Sequence, residues 1–547
     1  MMSHTDAPLS LEEKAAQLIM IDLPGLELSD RDREHLARHA WNGVILFAKN
    51  VQNRAQVVEL VEAIHEASPR PVLLAVDQEG GLVDRFRFEE MSLSPGAMAL
   101  GATGDPEATR RAHRIMGREL RDLGIHLDFA PCLDVNVNPD NPIIGVRSFG
   151  EDPERVAEHG RAAIRGLREG GVAPTAKHFP GHGDTALDSH IALPTLSHGR
   201  ERLDRVELVP FRAAVEEGVE AIMTAHVTFP ALDPTEGLPA TLSAPVLTGL
   251  LRGELGYRGV IVTDSLAMRA LADHWGFGEA TVRSVEAGAD LVLALGPFDQ
   301  QLEALEGLVA AVRSGRLSEA RLDESLARLA DLRTRFGGRP QPTPTWDVEA
   351  HRLEMREIAA RGVTVLVNRE DLLPLRPEPG ETLLVLAPDL LPLSPLGEVS
   401  ARAPLAPLLA RYHDRVEEMS FHLSASGPPV AEVGRRAAEA GLVVLALYAR
   451  DRLPDAQREL ARAVLAANPR TVLVSLSSPY LLRDLPEAGA CVLGYNYGAF
   501  TMEALADVLM GRRPASGRLP VSVPGLFPAG HGLEPGARAA RDFPAGR

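Results

Sequence analysis

Eight short apolar runs, each followed by a longer helical pattern, constrain this chain more than any other feature. They are Leu18–Leu23, Gly43–Phe47, Pro71–Val76, Leu127–Val135, Pro174–Phe179, Ala221–Val227, Gly259–Val262 and Leu291–Leu295. A strand covered on both faces needs such a near-continuous apolar run, whereas a strand wetted on one face alternates. The intervening patterns Arg54–Ala67, Pro106–Leu123 and Glu154–Gly170 read as helices, and Ser29 before Asp30 and Arg31 reads as a helix N-cap. Eight strand–helix units in residues 1–336 predict an α/β fold that begins with a (β/α)8 TIM-like barrel.

The pattern breaks after a helix at Glu319–Phe336. Gly337 and Gly338 end it, and Pro340, Pro342 and Pro344 follow. Proline lacks an amide donor and holds φ near the extended range, so residues 337–346 read as an extended linker. Alternation resumes with Val363–Val367, Thr382–Ala387, Leu442–Leu447 and Thr471–Leu476, with helical patterns at Pro429–Ala440 and Ala456–Ala467. Residues 347–547 therefore read as a second α/β domain with an open, largely parallel sheet. The last stretch, Pro528–Arg547, is rich in Gly, Pro, Ala and Arg and is expected to fray. No internal repeat is present.

Composition narrows the partners. Lys and Arg number 57 against 75 Asp and Glu, a net charge of 57 − 75 = −18. Nucleic acid and anionic membrane are bound by clustered cations, so neither is expected as a partner. Two cysteines, Cys132 and Cys491, exclude a disulfide scaffold and read as buried small apolar residues. No apolar run reaches the ~18 residues of a membrane helix. Met1–Lys14 is polar and acidic, without a basic segment before an apolar one, so a cytoplasmic location is expected. Oligomeric state is left open.

In a parallel barrel, functional side chains collect at the C-terminal ends of the strands. Polar clusters follow the runs in that manner: Asp77-Gln78-Glu79-Gly80-Gly81; Asp134 and then Arg147-Ser148-Phe149-Gly150; Lys177-His178-Phe179-Pro180-Gly181-His182-Gly183-Asp184-Thr185 with Asp188-Ser189-His190; Thr224-Ala225-His226; and Thr263-Asp264-Ser265. Asp264 ends an apolar strand, which suits a carboxylate nucleophile, although an Asp there can also cap the next helix. Asp188 and His190 stand two apart, close enough for a turn to pair them; a carboxylate raises the basicity of an imidazole and selects its tautomer, giving a general acid/base. Gly181 and Gly183 permit close backbone approach to a ligand. His178, His182, Asp184 and His190 can alternatively be read as metal ligands. Their spacing is not HExxH, and Lys177 would repel a divalent cation, so no metal and no cofactor are expected. Asp77, Arg147 and Lys177 are the charged hydrogen-bonding groups that hydroxyl-rich ligands need, or else a salt-bridge network closing the barrel top. Glu79 and Asp134 read as loop-fixing carboxylates, and His226 as either pocket-lining or satisfied in the core.

At these residues the chain resembles a known family. The run Lys177–His190, KHFPGHGDTALDSH, is similar to the signature of β-N-acetylhexosaminidases of glycoside hydrolase family three. DQEGG at Asp77–Gly81, RSFGEDP at Arg147–Pro153, ELVPF at Glu207–Phe211, MTAH at Met223–His226, PATLS at Pro239–Ser243 and VTDSLAM at Val262–Met268 occur in the family's order. SSPYLL at Ser477–Leu482 and SGRLPVSVP at Ser516–Pro524 resemble its C-terminal α/β sandwich. The resemblance implies a retaining glycosidase acting on terminal, non-reducing β-linked N-acetylglucosamine in cell-wall or chitin-derived saccharides. It implies Asp264 as nucleophile, His190 as acid/base polarised by Asp188, and sugar binding by Asp77, Arg147, Lys177 and His178. Phosphorolysis or transglycosylation at the same site, β-glucosidase activity, and a non-catalytic sugar-binding role are the alternatives. The family's usual Arg after DQEGG is Leu82 here.

Overall fold

The computed structural model describes residues 8–187, 193–389, 405–422, 429–450 and 452–534. Eight parallel strands form the first sheet: β1 Ile19–Asp22, β2 Gly43–Leu46, β3 Leu73–Val76, β4 Leu127–Asp128, β5 Ala173–Phe179, β6 Ala221–Thr224, β7 Val260–Val262 and β8 Val292–Leu293. Each pairs with its sequence neighbour, β1 also pairs with β8, and a parallel bridge between Val262 and Leu291 closes the ring. The β4 ladder is much shorter than its apolar run. Pro131 offers no amide hydrogen, so pairing with β5 stops at Asp128 and returns only as a bridge between Cys132 and Lys177. Ser29 caps its helix as expected, accepting from the Asp32 amide while the Asp32 carboxylate accepts from the Ser29 amide.

The two-residue period of a strand sorts the barrel side chains. Met20, Ile45, Leu73, Ala75, Leu127, Phe129, Ala173, Met223, Val260, Val262 and Leu293 form one buried cluster inside the ring. Their alternates, such as Ile19, Val44, Leu74, Val76, Ile222 and Ile261, face the surrounding helices. Continuing the inward series by two residues on β3, β5 and β7 reaches Asp77, Lys177 and Asp264.

The second sheet holds β9 Thr364–Asn368, β10 Leu383–Asp389, β11 Val416–His422, β12 Leu442–Leu447, β13 Thr471–Ser475 and β14 Ala490–Leu493, in the order β11-β10-β12-β13-β14-β9. All pairs are parallel except β14 with β9. Leu383, Val385, Val444 and Val474 pack with Met502, Leu505 and Leu509 on one face; Leu384, Leu386, Val443 and Leu473 pack with Val433, Leu460 and Val464 on the other. That is a helix–sheet–helix sandwich. The apolar-run criterion does not pick out β11, an edge strand reading Val-Glu-Glu-Met-Ser-Phe-His, or the four-residue β14.

The two parts share their cores. Helix Val348–Gly362 sends Met355, Ile358 and Ala359 into the barrel side and Ala360 into the sandwich. Met98, Ala99 and Ala102 pack with the sandwich, as does Leu82. The proline-rich segment bends at 342–343 and 345–346 and is strapped down: the Gln341 amide donates to the Asp122 carbonyl and the Thr345 amide to the Asp122 carboxylate, both at 2.7 Å. Residues 528–534 are less loose than the composition of the tail predicts. The Leu533 amide donates to the Val365 carbonyl at 2.8 Å, which fixes the described part of that stretch. Both cysteines are buried thiols, and among the described residues no helix is long and apolar enough to cross a membrane.

Several imidazoles are buried within the barrel part. Burial holds His113, His126, His159 and His182 down to about 4, from an ordinary value of 6.5. The unfolded chain therefore takes up these protons first as the pH falls. Stability is complete above about 6.5 and is lost progressively toward about 4. At ~1.4 kcal/mol for each pH unit between the two values, one fully buried histidine such as His113 contributes about 3 kcal/mol across that window. Denaturant unfolding followed at pH 7 and pH 4.5 is expected to differ by at least that amount, with the acid sample weaker; a flat profile would mean that the imidazoles are open to solvent.

Candidate active site

Lys177 is the pivot of the barrel mouth. Its Nζ donates to Asp77 Oδ1 at 2.8 Å and lies 2.6 Å from Glu79 Oε1. Glu79 is gripped from the other side by Arg147, whose Nε and Nη2 reach the two carboxylate oxygens at 2.9 and 2.7 Å. This fork-on-carboxylate geometry is the strongest form of such a pair. Burial alone would raise the Glu79 carboxyl, but Arg147 and Lys177 outweigh it and hold the group well below the carboxylate range. Burial would likewise lower Lys177, but Asp77 and Glu79 outweigh it and keep the ammonium charged. Arg147 is aimed by a one-turn 3-10 helix at Gly145–Arg147, and its Nη1 donates to the Ile143 carbonyl at 3.2 Å. The salt-bridge network is thus present, and it also lines a cavity.

His178 is oriented from behind. Its Nδ1 lies 2.7 Å from Asp134 Oδ2, and Asp134 Oδ1 accepts from the backbone amides of His178 and His182 at 3.3 and 2.6 Å. Burial pushes the Asp134 carboxyl up, but its contact with His178 and its other donors hold it at about 2. A carboxylate on Nδ1–H selects the tautomer whose Nε2 accepts, and that nitrogen faces Arg147 Nη2 at 3.5 Å. Asp134 therefore fixes the loop and the imidazole together.

Asp264 follows β7 and is partly exposed, with its Oδ1 accepting from the Ser265 amide at 2.7 Å. It caps no helix; the next one, Arg269–Ala272, has Met268 at its N-cap. Asp77, Met223 and Asp264 line both a small pocket with Glu79, Arg147, Lys177 and His178 and a cleft of about 500 Å³ walled by Phe47, Phe129, Met268 and Leu295. His226 supports the Asp264 turn, with Nε2 2.9 Å from the Ser265 carbonyl and Nδ1 2.7 Å from Thr241 Oγ1. Asp188 and His190 lie outside the described residues.

One expectation changes in detail. Gly181 and Gly183 face protein: a Cβ on Gly183 would strike the Val135 backbone, and one on Gly181 the Glu207 side chain. Leu82 packs into the sandwich core, and a cation near Asp77 is supplied by Arg85 at 3.9 Å. Asp184 pairs with His198 at 2.6 Å, and Arg202 stands between Asp184 and Glu207 at 3.7 and 3.0 Å, so these three possible metal donors are satisfied by one another and a guanidinium. Phe47, Lys49, Met223 and Met268 also line the cleft, and residue type alone does not mark them. The rule that βα loops build the site points to Phe47–Lys49 directly after β2; Phe47 and Ala48 carry no polar side chain to flag them, and the Lys49 ammonium is paired with Asp22 at 2.6 Å.

Glu79→Gln leaves the buried Lys177 and the part-buried Arg147 without their shared anion. Breaking one side of a buried pair costs about 3–5 kcal/mol. The variant is expected to unfold at a clearly lower denaturant concentration and to lose activity together with stability, both measurable on one preparation.

Residues 10–332 match the glycosyl hydrolase family 3 N terminal domain and residues 363–533 the family's C-terminal domain. Beta-hexosaminidase A of Pseudoalteromonas piscicida is 33% identical over 558 residues, covering 90% of each chain. A beta-hexosaminidase of Xanthomonas oryzae pv. oryzae (strain MAFF 311018) is 40% identical over 297 residues, 53% of this chain and 87% of that shorter protein. Among solved structures, a glycoside hydrolase family 3 beta-N-acetylglucosaminidase from Paenibacillus sp. str. FPU-7 superposes with a TM-score of 0.89 at 41% identity, covering 94% of this chain and 99% of its own. A beta-glucoside phosphorylase at 24% identity and a TM-score of 0.80 shares the fold, covering 94% of both chains. The chain belongs to glycosyl hydrolase family 3 and is a two-domain glycoside hydrolase.

Proposed function

We propose that this glycoside hydrolase is a retaining β-N-acetylglucosaminidase that removes terminal, non-reducing β-linked N-acetylglucosamine from small cell-wall or chitin-derived saccharides. One observation carries the reading: the Asp264 carboxylate lines the same barrel-mouth cavity as Asp77, Glu79, Arg147, Lys177 and His178. The neighbour at 41% identity is named a beta-N-acetylglucosaminidase and the relative at 33% a beta-hexosaminidase, which supports this reading.

In this mechanism the charged cluster holds the sugar, with Asp77 accepting from its hydroxyls and Lys177, Arg147 and the His178 ring completing their hydrogen bonds. Asp264 attacks the anomeric carbon and forms a glycosyl ester as the bond to the leaving oxygen breaks. His190, polarised by Asp188, gives that oxygen a proton. It then takes one from the water that cleaves the ester, so Asp264 and His190 return to their starting states. This differs from the two-carboxylate arrangement usual in retaining glycosidases. The apolar side of the cleft, Phe129, Met223 and Met268, provides the surface that an acetamido methyl needs.

The test compares an aryl β-N-acetylglucosaminide with the matching β-glucoside. A site built to pair the acetamido group leaves its own polar atoms unsatisfied with glucose. kcat/KM is expected to favour the N-acetylglucosaminide by at least about a hundredfold, roughly 3 kcal/mol. In the same assay Asp264→Ala should lose hydrolysis by several kcal/mol of barrier, at ~1.4 kcal/mol per tenfold, without a shift in its unfolding midpoint. Similar rates on both glycosides would sink the sugar assignment, and a normally active Asp264→Ala would sink the mechanism.

The dyad has its own signature. Only a poor leaving group needs the proton, so His190→Ala should slow a chitobiose-type disaccharide far more than a nitrophenyl glycoside. Equal proportional losses on the two substrates would mark His190 as structural.

A further inference from the structure

The segment between Asp134 and Glu151 carries Arg147, and the sandwich domain holds that segment at three places. At its start, Asn136 Nδ2 donates to the Tyr480 hydroxyl at 2.9 Å, with both residues buried. In its middle, Asp140 accepts from Arg483 Nη1 at 3.0 Å and from Arg452 Nε at 3.1 Å. At its end, the Glu151 amide donates to the Pro520 carbonyl at 3.1 Å. The Glu151 carboxylate accepts from the Ser522 amide and hydroxyl at 2.7 and 2.5 Å. Gly150 lies so close to the Pro520 carbonyl that a Cβ there would stand 2.6 Å from it.

The grip continues inward to the guanidinium. Asn141, next to Asp140, accepts from the amides of Ile143 and Ile144 at 3.0 and 2.8 Å and donates to the His182 carbonyl at 2.9 Å. The Ile143 carbonyl in turn accepts from Arg147, and Arg147 closes on Glu79. Ser148 ties the two ends of the segment together, donating to the Asp134 carbonyl at 2.6 Å and the Gly150 carbonyl at 2.9 Å. Val146 packs against both apolar faces of the sandwich. Apart from Arg452, the anchoring residues come from the two C-terminal motifs and the residue just after the first: Tyr480 from Ser477–Leu482, then Arg483, and Pro520 and Ser522 from Ser516–Pro524.

We propose that the second domain is a positioning device for Arg147: Tyr480, Arg483 and Ser522 clamp the Asp134–Glu151 segment so that the guanidinium meets both Glu79 and the sugar. This rests on the reading of Arg147 as a sugar-binding residue. None of the three clamp residues touches substrate; they act through Arg147. An interaction made equally in the bound state and the transition state appears in KM and not in kcat, and residues acting through a common group are non-additive with its removal.

The test uses the full chain and whichever aryl glycoside the wild type hydrolyses, so an error in the sugar assignment leaves it intact. Tyr480→Phe combined with Ser522→Ala should raise KM about five- to tenfold with kcat within about twofold. Arg361→Gln breaks a different ion pair across the same junction, to Asp105 at 2.8 Å, and should leave KM within about twofold. In an Arg147→Lys background the clamp substitutions should add no further rise. If the double variant fails to fold, Ser522→Ala alone should show a smaller KM rise with the same silence in the Arg147→Lys background. An unchanged KM in the clamp variants, an equal rise in Arg361→Gln, or a full additional rise in the Arg147→Lys background would each overturn the proposal.

Discussion

The site depends on one buried carboxylate. Glu79 sits between Lys177 and Arg147, with Asp77 on the far side of the lysine. Any of these charges alone in the barrel mouth would carry a desolvation cost of several kcal/mol. Two anions and two cations in hydrogen-bond contact offset it and leave the cluster near neutral. In the proposed sugar-binding role, the benefit is preorganisation. Donors and acceptors stand in fixed positions before the ligand arrives, so binding does not have to order long flexible side chains.

That arrangement needs strand ends close together on one rim. The two-residue pleat makes Leu73, Ala75 and Asp77 one inward series, and Val260, Val262 and Asp264 another. Parallel closure then puts the two carboxylates on the same mouth although 187 positions (264 − 77) separate them in the chain. His178 needs more than a strand, because an imidazole is useful only with its tautomer selected. Asp134, arriving from the β4 side, selects it and secures the backbone amides of His178 and His182 with its other oxygen.

Much of this is legible in the residues. Runs buried on both faces mark the barrel strands, and the helices Arg54–Ala67 and Glu319–Phe336 end where their periodicity ends. Asp77 and Asp264 stand out because polar groups directly after apolar strands have few structural reasons to be there, and Arg147, Lys177 and His178 stand out through the RSFGEDP and KHFPGHGDTALDSH motifs. What escapes has a physical reason in each case. β11 lies at a sheet edge and needs no continuous apolar run. β4 is cut short by one proline. Gly183 looks like a ligand contact but answers to the Val135 backbone, a neighbour brought by the fold. Leu82 follows the glycine pair as though it belonged to the site, yet its environment is the second domain's core.

The sequence by itself determined the family, the two α/β parts and the set of charged residues at the strand ends, because burial pattern, turn chemistry and motif order are local or nearly local properties. Tertiary structure alone decided which charges meet. Pairing Glu79 with Arg147 spans 68 residues, and Asn136 with Tyr480 spans 344. Nothing in either segment specifies its partner until barrel closure and domain packing bring them within hydrogen-bond range. The electrostatic state of the site follows from those distances, since burial pushes the Glu79 carboxyl up and the Lys177 ammonium down, and the contacts with Arg147, with Asp77 and with each other reverse both shifts.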